Sequence, residues 1–254
     1  MHSARTQFPA GLIQPDQGYR FSLDALLLAS FAAQSGAART MLDLGAGCGV
    51  VGFSLIMDGT LQAAQVVGVD IDTEMTAAAI RNAELLELTD SCRFITLDVA
   101  AVRERPEIAA ESFDLVVANP PYWRQGQGRE PGHQGRVQAR FERAGALEDF
   151  AEAAFYALKN HAAACLVYDA RRLPDLLEAL RAARLEPKRL RLVHPRIRQD
   201  ARLVLMEARK NGRPELTVEP PLVLHQGHGT GTRLTPEALA FCPHLRRNPA
   251  QGGA

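Results

Sequence analysis

Short apolar runs, each halted by a polar residue, alternate with alanine- and leucine-rich stretches in the first half of this chain. That alternation restricts the fold more than any other feature. Residues 40–44 (TMLDL) run into Gly45, 65–69 (QVVGV) stop at Asp70, 92–97 (CRFITL) stop at Asp98, and 113–118 (FDLVVA) stop at Asn119. Runs this short and this apolar read as buried strands. Residues 50–57 and 73–88 lie between them with helical spacing, and Asp72 is placed to cap the second of these helices. Further on, 147–159 reads as a helix, 162–168 as a strand and 172–184 as a helix. Residues 188–194 and 201–208 alternate like an antiparallel hairpin at a sheet edge. The expected fold is α/β, a seven-stranded, mostly parallel, doubly wound sheet with that hairpin at one edge. Ligands of such sheets bind at the carboxyl ends of the strands, near the point where strand order reverses. Asp43, Asp70, Asp98 and Asn119 are therefore expected on one rim.

With 254 residues, 46% of them hydrophobic, the chain can bury a core without disulfide or metal staples. It holds no apolar run long enough to cross a membrane and no signal-peptide core at MHSARTQFPAG, so a cytoplasmic protein is expected. Cys48, Cys92, Cys165 and Cys242 form no C-x-x-C pair, so they read as reduced thiols, and no metal site is expected. HQGHGTG at 225–231 reads as a loop. Charge sums to zero, but residues 1–120 carry 7 basic and 15 acidic residues and 121–254 carry 22 and 14. The second half suits a polyanionic partner, because arginine pairs bidentately with phosphate. Arg129, Arg136, Arg140, Arg196 and Arg198 are candidate contacts. The glycine-rich stretch 124–145 reads as a mobile loop and 248–254 as a flexible tail.

Asp43-Leu-Gly-Ala-Gly-Cys-Gly49 sits between a strand and a helix, where glycines let a ligand approach the backbone. Gly47-Cys-Gly49-Val-Val-Gly52 satisfies the dinucleotide pattern G-x-G-x-x-G. Asp43 favours a different ligand, S-adenosyl-L-methionine, because an acid beside the turn repels a pyrophosphate but suits the ammonium of a methionine moiety. Asp70 and Ile71 would then meet the ribose. Asp98 and Val99 would meet the adenine, although Asp98 serves equally as a helix cap.

Asn119-Pro120-Pro121-Tyr122 follows the fourth strand. Two prolines fix φ and remove two backbone donors. The Asn119 side-chain oxygen and the Pro120 carbonyl can then both accept from one planar NH2 group, which directs the nitrogen lone pair towards a methyl donor. Tyr122 offers a face on which a base can stack, and Trp123 can extend it. The chemistry needs alignment, with no metal and no covalent nucleophile.

These motifs, with Gln17-Gly-Tyr-Arg-Phe-Ser-Leu-Asp-Ala-Leu-Leu-Leu-Ala29, resemble the Rossmann-like class I methyltransferases with an Asn-Pro-Pro-Tyr signature. Within them the chain looks like the tRNA (adenine-N6) methyltransferases that modify the adenine next to the anticodon of valine tRNA. Gln138-Ala-Arg140 and residues 231–241 add to the likeness. The resemblance implies a tRNA or other structured RNA as substrate, and a monomer or dimer. It places Tyr19, Phe21 and Asp24 over the methionine end of the cofactor, with Gly45, Ala46, Gly47 and Asn119 also touching it. Residues 1–38 would form the cofactor-covering segment and its helix, and 39–247 the catalytic domain.

Several other readings stay open. A protein glutamine methyltransferase would use the same turn on a carboxamide, although such enzymes usually carry a helical domain ahead of the catalytic one. Guanine-N2 methylation of ribosomal RNA usually has phenylalanine in place of Tyr122, and DNA adenine enzymes generally add a recognition domain. A basic RNA-binding module without turnover would be marked by damage to Asp43, Gly45, Gly47 or Asn119, all of which are intact.

Overall fold

The computed structural model describes residues 4–15, 23–59, 65–121, 147–227 and 229–247. A short helix α1 (Ala4–Gln7) and a buried helix α2 (Leu23–Ala32) precede the sheet. Then come β1 (Thr40–Leu44), α3 (Val50–Met57), β2 (Gln65–Asp70), α4 (Thr73–Leu85), β3 (Cys92–Thr96) and β4 (Phe113–Ala118). The second half gives α5 (Leu147–Ala157), β5 (Leu158–Asp169), α6 (Leu173–Ala182), β6 (Leu185–His194) and β7 (Leu203–Lys210). It closes with two-residue strands β8 (Thr217–Val218), β9 (Leu222–Val223), β10 (His225–Gln226) and β11 (Arg233–Leu234), and with α7 (Pro236–Phe241).

The main sheet runs β3-β2-β1-β4-β5-β7-β6-β8, with β9 also on β6. β1 to β5 pair in parallel, and β7 is antiparallel to both β5 and β6. The chain winds outward from β1 to β3, returns to β4 on the other side of β1, and so reverses its direction between β1 and β4. Alternate strand residues feed two cores. Met41, Leu115, Val117 and Leu205 meet α2, α3 and α4 on one face. Leu42, Val116, Leu166 and Met206 meet α5 and α6 on the other. Period-two alternation across a sheet covered on both faces accounts for both.

The doubly wound architecture agrees with the sequence reading, with corrections at the margins. The sheet has nine strands, not seven, and the β6–β7 hairpin is not at the edge, because β8 and β9 pair in parallel with β6. Two residues carry no periodicity, and Pro220-Pro221 between them reads as a break. β5 begins at Leu158, inside the stretch read as helix, and its register shifts between Phe113 and Leu115 around His161, whose φ is +63°. α4 stops at Leu85 because Glu87 turns left-handed (φ +54°) and the Leu88 N–H returns to the Ala83 carbonyl at 2.8 Å. His225 and Gln226, within the stretch 225–231 read as a loop, pair with Leu234 and Arg233 as the β10–β11 hairpin.

Candidate active site

The glycine turn is built by the strand beside it. The N–H groups of Gly45 and Ala46 both donate to the Val69 carbonyl at 2.9 Å, and the Gly47 N–H donates to Asp70 Oδ2 at 2.8 Å. Asp70 Oδ1 accepts from the Asp72 N–H at 2.9 Å, so one carboxylate ties the turn after β1 to the turn after β2. Gly45, Gly47 and Gly49 alternate in left-handed conformation (φ +72°, +56° and +87°). A Cβ on Gly47 would meet no atom of the described residues within 4 Å, so they leave this face of the turn open. A Cβ on Gly49 would lie 2.5 Å from Phe53 Cε2 and 2.8 Å from Phe94 Cζ. Strained φ and overpacking add, so Gly49→Ala is expected to lower stability by about 2–4 kcal/mol in urea unfolding. A loss under about 0.5 kcal/mol would mean that the turn relaxes freely.

Asp43 lies on β1 beneath this turn, 1% exposed. Burial, helped by the Asp70 carboxylate and opposed by the Gly52 backbone N–H, pushes its carboxyl up to about 7. Its Oδ2 is buried with no hydrogen-bond partner among the described residues. An unpaired acceptor under an open glycine turn, next to a carboxylate with lone pairs to spare, suits a ligand that brings cationic charge and hydroxyl donors.

Strand register supplies the rest. Leu44 pairs with Val69 on one side and with Ala118 on the other. The next residues along the three chains are Asp70, Gly45 and Asn119, at the point where the winding reverses. Asn119 is half-buried, Pro120 buried and Pro121 half-buried. β3 joins the same rim, with Thr96 opposite Asp70 and the Leu97 N–H donating to the Asp70 carbonyl at 2.9 Å. Asp98 caps the 3-10 turn Val99–Glu104 through Oδ1 and the Ala100 N–H at 3.0 Å. Its capping role is therefore present, and its carboxylate keeps lone pairs for a further donor. Ile71 is half-buried, Val99 buried, and Asp24 stands half-buried in the first turn of α2. Asp72 caps α4, accepting from the N–H groups of Glu74 and Met75. Tyr19, Phe21, Tyr122, Trp123, Arg129, Arg136, Arg140, the stretch 124–145 and the tail 248–254 lie outside the described residues.

One residue of this region escapes the motif reading. Asn82, fully buried, accepts from the Ile13 N–H at 2.7 Å and donates to the Ile13 carbonyl at 2.9 Å and the Cys48 carbonyl at 3.1 Å. It clamps the N-terminal segment to the glycine turn. The available signal was an amide in the apolar stripe of Met75, Ala78, Ala79 and Ala83.

Several of the basic residues of 181–213 are paired within the fold. Arg189 and Arg209 both pair with the buried Glu207, Arg189 also pairs with Glu219, and Lys210 pairs with Glu111. Those that reach the carboxyl rim, Arg196, Arg198 and Arg202, sit between β6 and β7. All four cysteines are free and buried, and burial pushes the Cys48, Cys92 and Cys165 thiols up to about 12. Among the described residues no His, Cys, Asp or Glu cluster could hold a metal, and no helix is long and apolar enough to cross a membrane.

The fold is that of the class I, S-adenosylmethionine-dependent methyltransferases. More particularly, residues 18–139 match the methyltransferase small domain. A predicted O-methyltransferase from Agrobacterium tumefaciens superposes with a TM-score of 0.67 at 27% identity, covering 87% of this chain and 96% of that one. The tRNA1(Val) (adenine(37)-N6)-methyltransferase of Flavobacterium johnsoniae is 28% identical over 149 residues, 58% of this chain and 60% of that protein. The Porphyromonas gingivalis protein of the same name is 28% identical over 193 residues, 75% and 74% of the two chains. A release factor glutamine methyltransferase from Rhodospirillum rubrum is 35% identical over 99 residues, 39% of this chain and 28% of its own length.

Proposed function

We propose that this methyltransferase acts on N6 of an adenine in RNA, and that the RNA is a tRNA modified near its anticodon. The observation that supports the reading is the register of β1 with β2 and β4, which ends the three strands together at Leu44, Val69 and Ala118, one residue before Gly45, Asp70 and Asn119. Gly45, Ala46 and Gly47 would hold the cofactor from the turn, with Asp43, Asp24, Tyr19 and Phe21 at its methionine end. Asp70 and Ile71 would take the ribose, and Asp98 and Val99 the adenine. When bound, S-adenosylmethionine supplies an electrophilic methyl group and the driving force of its sulfonium.

Everything else falls to the chain. The Asn119 oxygen and the Pro120 carbonyl accept the two protons of the target amine and leave its lone pair facing outward. Both are neutral oxygens that cannot retain a proton, so the proton released after transfer leaves to water. Tyr122 stacks on the base, which has to be unpaired or flipped out of its stack to reach the rim. Adenine is favoured over a glutamine carboxamide by two facts. The likeness to the tRNA enzyme of Porphyromonas gingivalis extends over 75% of this chain, whereas that to the glutamine enzyme of Rhodospirillum rubrum covers 39%. Arginines also stand on the same rim.

The test is methyl transfer from labelled S-adenosylmethionine to total tRNA lacking its endogenous modification, followed by nucleoside mass spectrometry. N6-methyladenosine in a single tRNA is the expected product. Label in protein or ribosomal RNA, with none in tRNA, would overturn the reading in favour of the glutamine or guanine reactions.

A further inference from the structure

We propose that a groove at the far end of the carboxyl rim seats a second, unstacked nucleotide of the RNA substrate, apart from the base that is methylated. The proposal rests on the RNA reading above and names a part of the substrate that the Asn119 turn does not touch. The groove has a volume of about 870 Å³ and lies between residues 196–199 and the β9–β11 region. Its position follows from the sheet. β6 runs parallel to β4, since β7 opposes both β5 and β6, so His194 ends on the same rim as Asn119. Three strand spacings, about 14 Å, separate β4 from β6. A flexible single strand covers that distance in a few nucleotides.

The walls are firmly built. His194 pairs with Val223, the Leu224 N–H donates to the His194 carbonyl at 2.9 Å, and the His225 N–H donates to the Pro195 carbonyl at 3.0 Å. Thr235 Oγ1 donates to the Val223 carbonyl at 2.6 Å. The lining divides by chemistry. Ile197, Pro221 and Val223 give apolar surface, and Ile197 is 75% exposed, a large cost for an aliphatic side chain with nothing to cover. Arg196 is pinned, donating from Nη2 to Thr232 Oγ1 at 2.7 Å, so its guanidinium is held in place before any ligand arrives. Arg198 is exposed and makes no side-chain hydrogen bond or ion pair with the described residues. Glu237 lines the groove as well, so an acceptor for a base amine or ribose hydroxyl shares the site with two guanidinium groups for one phosphate. Apolar faces for a base, arginines for its phosphate and one acceptor for its polar edge are what a single-stranded nucleotide requires. The arginines of β6 and β7 are paired within the fold, so the charge at this groove is not part of a general basic coat.

The test uses the full chain, an unmodified tRNA transcript and the variants Arg198→Ala and Ile197→Asp/Arg198→Glu, all at exposed positions outside the methyl-transfer site. RNA affinity, methyl incorporation and S-adenosylhomocysteine affinity are measured on each. The double variant is expected to weaken tRNA binding at least about tenfold, to lower kcat/KM for tRNA in proportion, and to leave cofactor affinity within about twofold. Arg198→Ala is expected to reduce the slope of log K against log salt by about 0.7–0.9. The groove is refuted if the wild type binds and methylates tRNA while the double variant binds it within twofold. If the wild type itself neither binds nor methylates tRNA and labels a protein instead, the RNA reading fails and the groove assignment falls with it.

Discussion

Replacing Asn119 by alanine is expected to lower kcat by about 10²–10³-fold while leaving cofactor affinity within about threefold. The magnitude is that of deleting one preorganised hydrogen-bonding group aimed at the reacting centre. Cofactor affinity should survive because the turn that carries Asn119 is set by Pro120 and Pro121, and the glycine turn is held from the other side by Val69 and Asp70. Asn119→Asp keeps an oxygen acceptor in the same place and should retain about tenfold more activity than the alanine variant. Single-turnover methyl transfer and calorimetric titration with S-adenosylhomocysteine separate the two effects. Collapse of cofactor binding in the alanine variant would make Asn119 a cofactor ligand or a folding residue, and the amine-orienting role would be wrong.

The rim was legible in the sequence because its chemistry sits in contiguous stretches: a strand, its polar stop and the turn that follows. Parallel strands buried on both faces also write themselves as plain apolar runs, and β1 and β4 fall within the boundaries those runs give. What stayed hidden depends on partners distant in sequence. Nothing in residues 73–88 says that Asn82 will clamp Ile13, 69 positions away. Counting arginines gives a charge but not its use, and Arg189 spends its charge on Glu207 and Glu219 in the interior. The two-residue strands β8 and β9 are defined by pairing with β6 alone, so no local pattern could announce them. In β5, Asn160-His161 reads as a connection because it is polar and Leu158-Lys159 as the end of a helix, although the strand runs through all four.

Asp43→Asn is expected to stabilise the protein at pH 8 and to weaken cofactor binding at the same time. Burial first, and Asp70 second, raise the Asp43 carboxyl from 3.8 to about 7 in the folded chain. Between those values the folded state holds a proton that the unfolded state has lost, so stability falls as pH rises from about 4 to about 7. Above that range the full penalty is present, on the order of 4 kcal/mol, and below it none is. A neutral amide of the same shape removes the penalty. The variant's Tm should therefore exceed that of the wild type by about 8–16 °C at pH 8, with little difference at pH 4. Such a charge is retained against its own cost when a ligand repays it, and the cationic groups of S-adenosylmethionine would do so across the open face of Gly47. Loss of one charge-assisted contact predicts a cofactor affinity about 10–100-fold weaker in the variant. In the wild type, affinity should strengthen as pH rises from 6 to 8, because binding favours the ionised carboxylate. Thermal denaturation at the two pH values and titration with S-adenosylhomocysteine decide the matter together. A variant less stable at both pH values, with cofactor affinity unchanged, would reduce Asp43 to an anchor for the Gly52 N–H and remove it from the binding site.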